Sequence, residues 1–393
     1  MSRNESLAVW LLAFGLLLIY AGIFYAFPAV LPDLLAETGW RKADLALGPS
    51  LSYLVMAALT PLTGRVIDRG HGATMVMAMP VLAALGIMAL AFVQTRFQWW
   101  AVWAILGVAQ SGCLYESVFA LLTRRLGPHA RIAITRITLV AGLSGTMTFP
   151  LGHWLAAKFG GQGAYLGFAA LTICGTIPLN IWAMRLLRGP EVARAQEDAS
   201  GALRAALRRP AFWGIAAIFA LIWLDHGMLL TFILPLFEER GVSREWATVA
   251  AACLGPSQLA GRMVLVVGGG RVSNAVATKA ALGMVVLAAC LLWLAGLAPA
   301  LVFLVVAVQG AGVGLMSIMR PMLIVDVLGR RGFGAISGAA AVSPILATAA
   351  APTLGAFLLD HQGAGTIYAS LLVFAVIGLA LALVLVRKRP LNG

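Results

Sequence analysis

The chain has 393 residues, of which 61% are hydrophobic and only 11% are charged. Soluble domains are roughly half apolar and a quarter charged, so this composition excludes a soluble globular protein and predicts an integral membrane protein. The net charge of +13 would favour nucleic-acid binding in a soluble protein, but here basic loops are expected to orient membrane helices. The four cysteines lie in apolar segments without metal-ligand spacing, so we expect no metal site and no cofactor.

Apolar segments of about 20 residues predict membrane-spanning helices, because the strands of a membrane barrel would be half as long and would alternate in polarity. The first segment is too long for the core of a signal peptide, so we expect it to be retained. Twelve spans are predicted, at residues 7–31, 43–63, 73–94, 98–122, 132–156, 164–187, 211–236, 246–267, 273–295, 299–325, 333–358 and 364–386.

The basic residues predict the orientation of these spans. With both termini in the cytoplasm, nineteen Lys and Arg residues fall on the cytoplasmic side and six on the other side. This bias follows the positive-inside rule and predicts a multi-pass protein of the inner (plasma) membrane with both termini cytoplasmic. The polar segment 188–210 is predicted to be a cytoplasmic linker between an N-terminal domain, residues 1–187, and a C-terminal domain, residues 211–393.

The two halves of the chain repeat each other. Gly48-Pro49-Ser50 in span two returns 207 residues later as Gly255-Pro256-Ser257 in span eight. Paired six-helix halves are the architecture of many secondary transporters. We therefore predict an all-α fold of twelve transmembrane helices in two pseudo-symmetric six-helix bundles. Further pairs are Leu31-Pro32 with Gly39 and Leu234-Pro235 with Gly241, Gln110 and Gln309, Leu126-Gly127 and Leu328-Gly329, and Pro150-Leu151-Gly152 and Pro352-Thr353-Leu354-Gly355.

A polar turn between spans two and three, from Gly64 to Gly72, contains Asp68 and Arg69. Its glycines permit a sharp turn, and its charges can bridge helix ends. We expect Gly64, Asp68 and Arg69 to act in gating on the cytoplasmic side.

This turn resembles the loop 2–3 signature of the major facilitator superfamily, whose twelve-span plan would cover the whole chain. The segment from Glu37 to Leu45, leading into Gly48-Pro49-Ser50, resembles bacterial members related to the monocarboxylate transporters. The resemblance implies an Arg in span eight that binds substrate and an Asp four residues before it. Arg262 occupies the Arg position, whereas Gln258 stands where the family has Asp. The lysine typical of the family's first span is also absent from residues 7–31, so the family's proton relay cannot be transferred to this chain.

Charged residues inside predicted spans are costly, about 2.5–3.5 kcal/mol each at the helix centre, and are candidates for function. The 207-residue repeat places Arg262 opposite Val55, roughly two turns inside its helix and on the order of 12 Å from the cytoplasmic end. A guanidinium there can bind a carboxylate through two parallel hydrogen bonds, or it can form an ion pair that holds helices together. Gln258 lies on the same helix face.

The other candidates leave alternatives open. Asp225 and Glu116 are each either a proton carrier or the permanent partner of an arginine, and His226 is either a proton carrier or a hydrogen-bonded structural residue. Arg320, which precedes Pro321, is either a second anion contact or the partner of Asp326. Arg136 and Asp326 lie nearer the cytoplasmic ends and are expected to tether helices.

Smaller and aromatic residues complete the prediction. Tyr20 and Phe24 share a face of span one and either line a substrate pocket or pack between helices. The pairs Gly310/Gly314 and Gly142/Gly145 predict close helix contacts.

No zinc-protease helix or nucleotide-binding loop occurs in the chain, so we expect no enzyme activity. The leading hypothesis is a monomeric secondary transporter that moves a small organic anion, a monocarboxylate, by alternating access with protons. One alternative is proton-driven efflux of drugs or metabolites. Another is a transporter-like receptor that binds without moving solute.

Overall fold

A computed structural model describes residues 1–187, 200–268, 273–329 and 333–387 of the protein. The chain divides into two compact units, Met1–Arg194 (the N-terminal unit) and Ala195–Gly393 (the C-terminal unit). The division falls within the predicted linker 188–210, of which residues 188–199 lie outside the described residues. All regular structure in the described residues is helical.

The described residues of the N-terminal unit form nine α-helices. Two spans consist of two segments joined by a short π-helical turn, at Ala21–Tyr25 and Thr172–Thr176, and a third π-helical turn, Ile67–His71, connects the second span to the third. The segments are α1 (Arg3–Tyr20), α2 (Ala26–Thr38), α3 (Lys42–Val66), α4 (Gly72–Leu90), α5 (Arg96–Cys113), α6 (Tyr115–Leu126), α7 (Ala130–Ala141), α8 (Ser144–Leu171) and α9 (Ile177–Leu186).

The C-terminal unit contains nine helical segments among its described residues. The first is a short helix in the predicted linker, packed through Ala206 and Leu203 onto the core of its unit. The segments are α10 (Ser200–Leu207), α11 (Pro210–Thr231), α12 (Ile233–Glu239), α13 (Arg244–Ala252), α14 (Leu254–Gly268), α15 (Asn274–Leu294), α16 (Leu301–Leu328), α17 (Phe333–Gln362) and α18 (Ala364–Arg387).

Ten stretches of the described residues are long and apolar enough to cross a membrane. One of them, Ile132–Leu186, has 55 residues, about 80 Å of helix, which is more than twice the hydrocarbon thickness. It comprises two spans, because the backbone leaves helical geometry at Gly160 (φ 78°, ψ 170°). The segment Arg244–Gly268 forms one further span from the two short helices α13 and α14. Dividing Ile132–Leu186 into two spans and adding Arg244–Gly268 gives the twelve predicted spans and confirms the predicted fold class.

The predicted repeat is visible in matching backbone conformations. Gly39 and Gly241 end the first span of each unit with φ of 63° and 82°, and Gly160 and Gly363 separate the last two spans with φ of 78° and 77°. Positive φ is accessible to glycine with little strain. A glycine with positive φ therefore occurs at equivalent positions of the two units.

Side-chain contacts repeat as well. Ser144 donates from Oγ to the carbonyl of Leu17 at 2.9 Å, and Ser343 donates to the carbonyl of Ala216 at 2.9 Å. In each unit this bond joins the fifth span to the first. Ser343 follows Ser144 by 199 residues, and Ala216 follows Leu17 by the same number. The repeat therefore extends to individual hydrogen bonds.

Capping residues fix where several helices begin. Ser2 and Glu5 form a capping box at the start of α1, and Thr95 and Gln98 form another at the start of α5. These side chains satisfy backbone N–H groups that have no partner within the helix. The spans thus begin at positions that the local sequence specifies.

Candidate functional site

Arg262 lies in α14, six residues or about 9 Å before the helix reaches Gly268. Its Nε donates to Oγ of Ser317 on α16 at 3.2 Å. Ser317 in turn donates to the carbonyl of Gly314 at 2.7 Å. The guanidinium is half-buried, and its plane is oriented by a hydroxyl group that is itself fixed. Gln258, one turn earlier in α14, is 6% exposed.

Glycines allow α14 and α16 to pack with their backbones almost in contact. A Cβ atom placed on Gly314 would lie 2.2 Å from the carbonyl oxygen of Gln258, and one on Gly261 would lie 2.2 Å from that of Ala311. Gly310 would meet Ser257 at 2.5 Å. The predicted close contact at Gly310 and Gly314 is confirmed, and it determines the distance between Arg262 and Ser317.

Arg320 lies one turn beyond Ser317 on α16 and is half-buried. The predicted alternative partner, Asp326, instead accepts a hydrogen bond from Nδ2 of Asn274 at 2.8 Å. Asp326 therefore connects α16 to the first turn of α15. This is the tethering role expected of it.

Asp225 lies in the interior of the C-terminal unit, with 2% of its surface exposed. Its Oδ2 accepts a 2.7 Å hydrogen bond from Nε2 of Gln309 on α16. Among the described residues no Lys, Arg or His forms an ion pair with it, so its partner there is an amide and not the arginine considered above. The carboxyl group also borders a cavity of about 10 Å³, room for about one water molecule. The apolar lining of this cavity comprises Leu229, Ala288, Ala289, Leu292, Val305 and Leu371.

His226, the next residue of α11, is 4% exposed and lies against the ring of Trp223 at 6.0 Å between centroids. Its Nδ1 has no hydrogen-bond partner among the described residues. A hydrogen-bonded structural imidazole was one of the two alternatives for His226, and the described part of the chain does not supply that bond at Nδ1. Neighbouring helical residues point about 100° apart, so Asp225 and His226 project in different directions.

Tyr20 and Phe24 belong to an aromatic cluster in the N-terminal unit. Their ring centroids are 6.0 Å apart, and Tyr20 lies 4.6 Å from the ring of Tyr115 at the start of α6. Glu116 follows Tyr115 and is exposed. The sequence predicted one continuous fourth span here, but Leu114 is extended (φ −93°, ψ −172°) and separates α5 from α6. No motif in the sequence marks this interruption.

The predicted gating turn has a helical backbone except at one residue. Helix α3 continues through Gly64, and the π-helical turn that follows, Ile67–His71, contains Gly70 at φ 83°. Arg69 is exposed. The side chain of Asp68 lies outside the described residues.

The last candidates are Arg136 and any group of side chains that could bind a metal ion. Arg136 donates to Oγ of Ser6 at 2.8 Å and lies over the ring of Trp10, which ties α7 to α1 as expected. No group of three His, Cys, Asp or Glu side chains in the described ranges could hold a metal ion.

Comparison with known proteins identifies the family. The model of the Major Facilitator Superfamily matches residues 12–343. The chain belongs to the major facilitator superfamily. Two crystal structures of a bacterial homolog of the human lysosomal transporter Spinster share the fold of this superfamily member. The unoccupied inward-facing form has a TM-score of 0.71 at 14% identity, covering 98% of each chain. The occupied inward-facing form has a TM-score of 0.75 at 13% identity, covering 99% of this chain and 98% of the other. No curated protein sequence matches the chain.

Proposed function

We propose that this superfamily member is a secondary active transporter that moves a small organic anion, a monocarboxylate, across the inner membrane by alternating access coupled to protons. It would act as a monomer with both termini in the cytoplasm. The observation that carries the proposal is Arg262, a half-buried arginine inside a membrane span, oriented through Nε by Ser317. Its position also matches the substrate-binding arginine of the monocarboxylate family that the sequence resembles.

The guanidinium offers the geometry that a carboxylate requires. With Nε engaged by Ser317, a carboxylate would bind the outer edge formed by the two Nη groups through parallel hydrogen bonds. Gln258 lies one turn away in the same helix and would donate from its amide. Arg320, one turn beyond Ser317 on α16, would supply a second positive charge for the anion.

Proton coupling is assigned in this proposal to Asp225. An uncompensated negative charge in such apolar surroundings is costly, and a carboxyl group that takes up a proton avoids this cost in one of its two states. Gln309 can hydrogen-bond the group in either state, because an amide has both a donor and an acceptor. Glu116 and His226 are the remaining candidates. The turn with Gly64, Asp68 and Arg69 would act as the cytoplasmic gate.

Uptake of radiolabelled lactate into proteoliposomes under an imposed pH gradient tests the proposal. The variant Arg262→Gln removes the charge but keeps a polar side chain, and it should lower uptake at least 30-fold, equivalent to about 2 kcal/mol of lost binding. The matched control is Arg136→Gln, which removes an arginine nearer the cytoplasmic end of its span, where it contacts Ser6 and Trp10. It should retain uptake within about threefold.

Both variants are first checked for folding by size-exclusion chromatography and thermal unfolding. Lactate uptake by a folded Arg262→Gln protein at the wild-type rate would reject the arginine as the anion-binding group. A wild-type protein that shows no uptake of any monocarboxylate, with or without the gradient, would reject the substrate class.

A further inference from the structure

A second candidate site lies wholly within the N-terminal unit and involves none of the residues around Arg262. Five aromatic rings from three helical regions, part of a contiguous cluster that also contains Tyr25, form what we call the aromatic site. Successive ring centroids are 4.6–6.0 Å apart. Its members are Tyr20, Phe24, Tyr53, Tyr115 and Phe119.

Two irregularities of the backbone coincide with this site. In the first span a π-helical turn, Ala21–Tyr25, begins directly after Tyr20 and contains Phe24. The fourth span is interrupted at Leu114, immediately before Tyr115. Non-helical backbone at membrane depth is tolerated where it is buried in protein or lines a water-filled cavity, and π-helical turns in helices are frequent at functional sites.

Glu116 provides a negative charge at the edge of the aromatic site. It is ten residues, or about 15 Å, before the end of α6 at Leu126, and it is exposed on the protein surface. It directly follows Tyr115, whose ring lies 4.6 Å from the ring of Tyr20. Among the described residues no cationic side chain forms an ion pair with it. A carboxylate at this depth is costly against lipid, so it is expected to face a polar space that admits ions.

The chemistry of the aromatic site indicates which class of ligand it would bind. Aromatic ring faces carry partial negative charge and attract ammonium groups, and recognition of quaternary ammonium by several rings is a common use of this attraction. Glu116 adds a carboxylate directly after the ring-bearing Tyr115. An anion would be repelled by both features, whereas a neutral hydrocarbon would gain nothing from the carboxylate.

We propose that the aromatic site and Glu116 bind the ammonium group of an organic cation. The rings of Tyr20 and Tyr115 contact the alkyl groups on the nitrogen, and Glu116 balances its charge. The site depends on the N-terminal unit alone, so it stands whether or not Arg262 binds an anion.

The test measures binding of benzyltrimethylammonium to the purified full-length protein in lipid nanodiscs, by calorimetry. Wild type should bind it, and neopentylbenzene, which has the same shape without the charge, should not compete. The variant Glu116→Gln should weaken binding at least tenfold, and Tyr115→Leu should weaken it at least threefold. The variant Glu116→Asp, which keeps the charge, should bind more tightly than Glu116→Gln.

Two controls separate this proposal from the proposed function. Glu245→Gln makes the same chemical change at an exposed carboxylate of the C-terminal unit and should leave binding unchanged. Arg262→Gln should also leave it unchanged, even though lactate uptake is lost. Wild-type affinity in a folded Glu116→Gln protein, or equal competition by neopentylbenzene, would overturn the cation site.

Discussion

Replacing Gly314 with alanine should force α14 and α16 apart where they hold Arg262. A Cβ atom at this position would lie 2.2 Å from the carbonyl oxygen of Gln258 and 2.8 Å from its Cα, whereas ordinary contacts begin near 3.4 Å. The two backbones must therefore separate by about 1.2 Å, the difference between the oxygen distance and the contact limit. Both obstructing atoms belong to the main chain, so rotation of a side chain cannot relieve the overlap.

The separation has consequences for stability and for the site. Overpacking of this kind costs about 1–3 kcal/mol in the free energy of unfolding. The Arg262 Nε to Ser317 Oγ distance is already 3.2 Å, and lengthening it by about 1 Å exceeds the range of a hydrogen bond. Lactate uptake should then fall more than the loss of stability alone explains.

Thermal unfolding of the purified protein, followed by tryptophan fluorescence, measures the first effect, and proteoliposome uptake measures the second. The matched control is Gly283→Ala in α15, where an added Cβ meets no atom within 4 Å. Alanine there should be neutral or stabilising by about 0.5–1 kcal/mol, because glycine loses more conformational freedom in a helix. Equal unfolding temperatures for Gly314→Ala and Gly283→Ala would refute the close packing from which the argument starts.

Three further predictions test other contacts. Tyr368→Phe should lower the free energy of unfolding in denaturant by about 1 kcal/mol, because its hydroxyl donates to a backbone carbonyl at 3.1 Å. Tyr165→Phe, at the matching position of the other unit, should cost nothing, because its buried hydroxyl has no partner among the described residues; equal losses for the two would contradict this difference. Asp225→Asn can keep its contact with Gln309 but cannot carry a proton, so gradient-driven uptake should fall at least tenfold while counterflow at equal pH continues, and unaltered gradient-driven uptake would exclude Asp225 as the carrier. Asp44→Asn should lower the free energy of unfolding by about 1 kcal/mol at low ionic strength and by less in 1 M salt, because two exposed arginines lose their ion pair with this carboxylate. A loss independent of salt would rule out an electrostatic origin.

Composition and repetition in the sequence were sufficient to predict the fold. Apolar segments of spanning length predicted the helices, and paired motifs predicted the repeat that the structure confirms at Gly160 and Gly363. A criterion of helix length alone misses two of the twelve spans. One is missed because the helical stretch continues across the kink at Gly160, and the other because a short interruption divides it into α13 and α14. Hydropathy averages over such local changes, so sequence predicted the number of spans better than their internal shape.

The candidate site was only partly predictable. The sequence identified Arg262, Asp225 and Glu116 as charges within spans, because the cost of placing a charge in the bilayer singles them out. It could not show that Asp225 meets Gln309, 84 residues away, or that Arg262 meets Ser317, 55 residues away. Depth along a helix follows from residue number, but the direction a side chain takes depends on which helices surround it.

The sequence by itself determined that this protein spans a membrane as two related sets of helices, and it determined which polar groups lie at membrane depth. Only the tertiary structure decided the partners of those groups, the interruption at Leu114 and the contact between α14 and α16. The physical reason is that the insertion free energy of a segment depends on its own residues and on their depth in the membrane. Helix packing, in contrast, depends on the shapes that two distant segments present to each other.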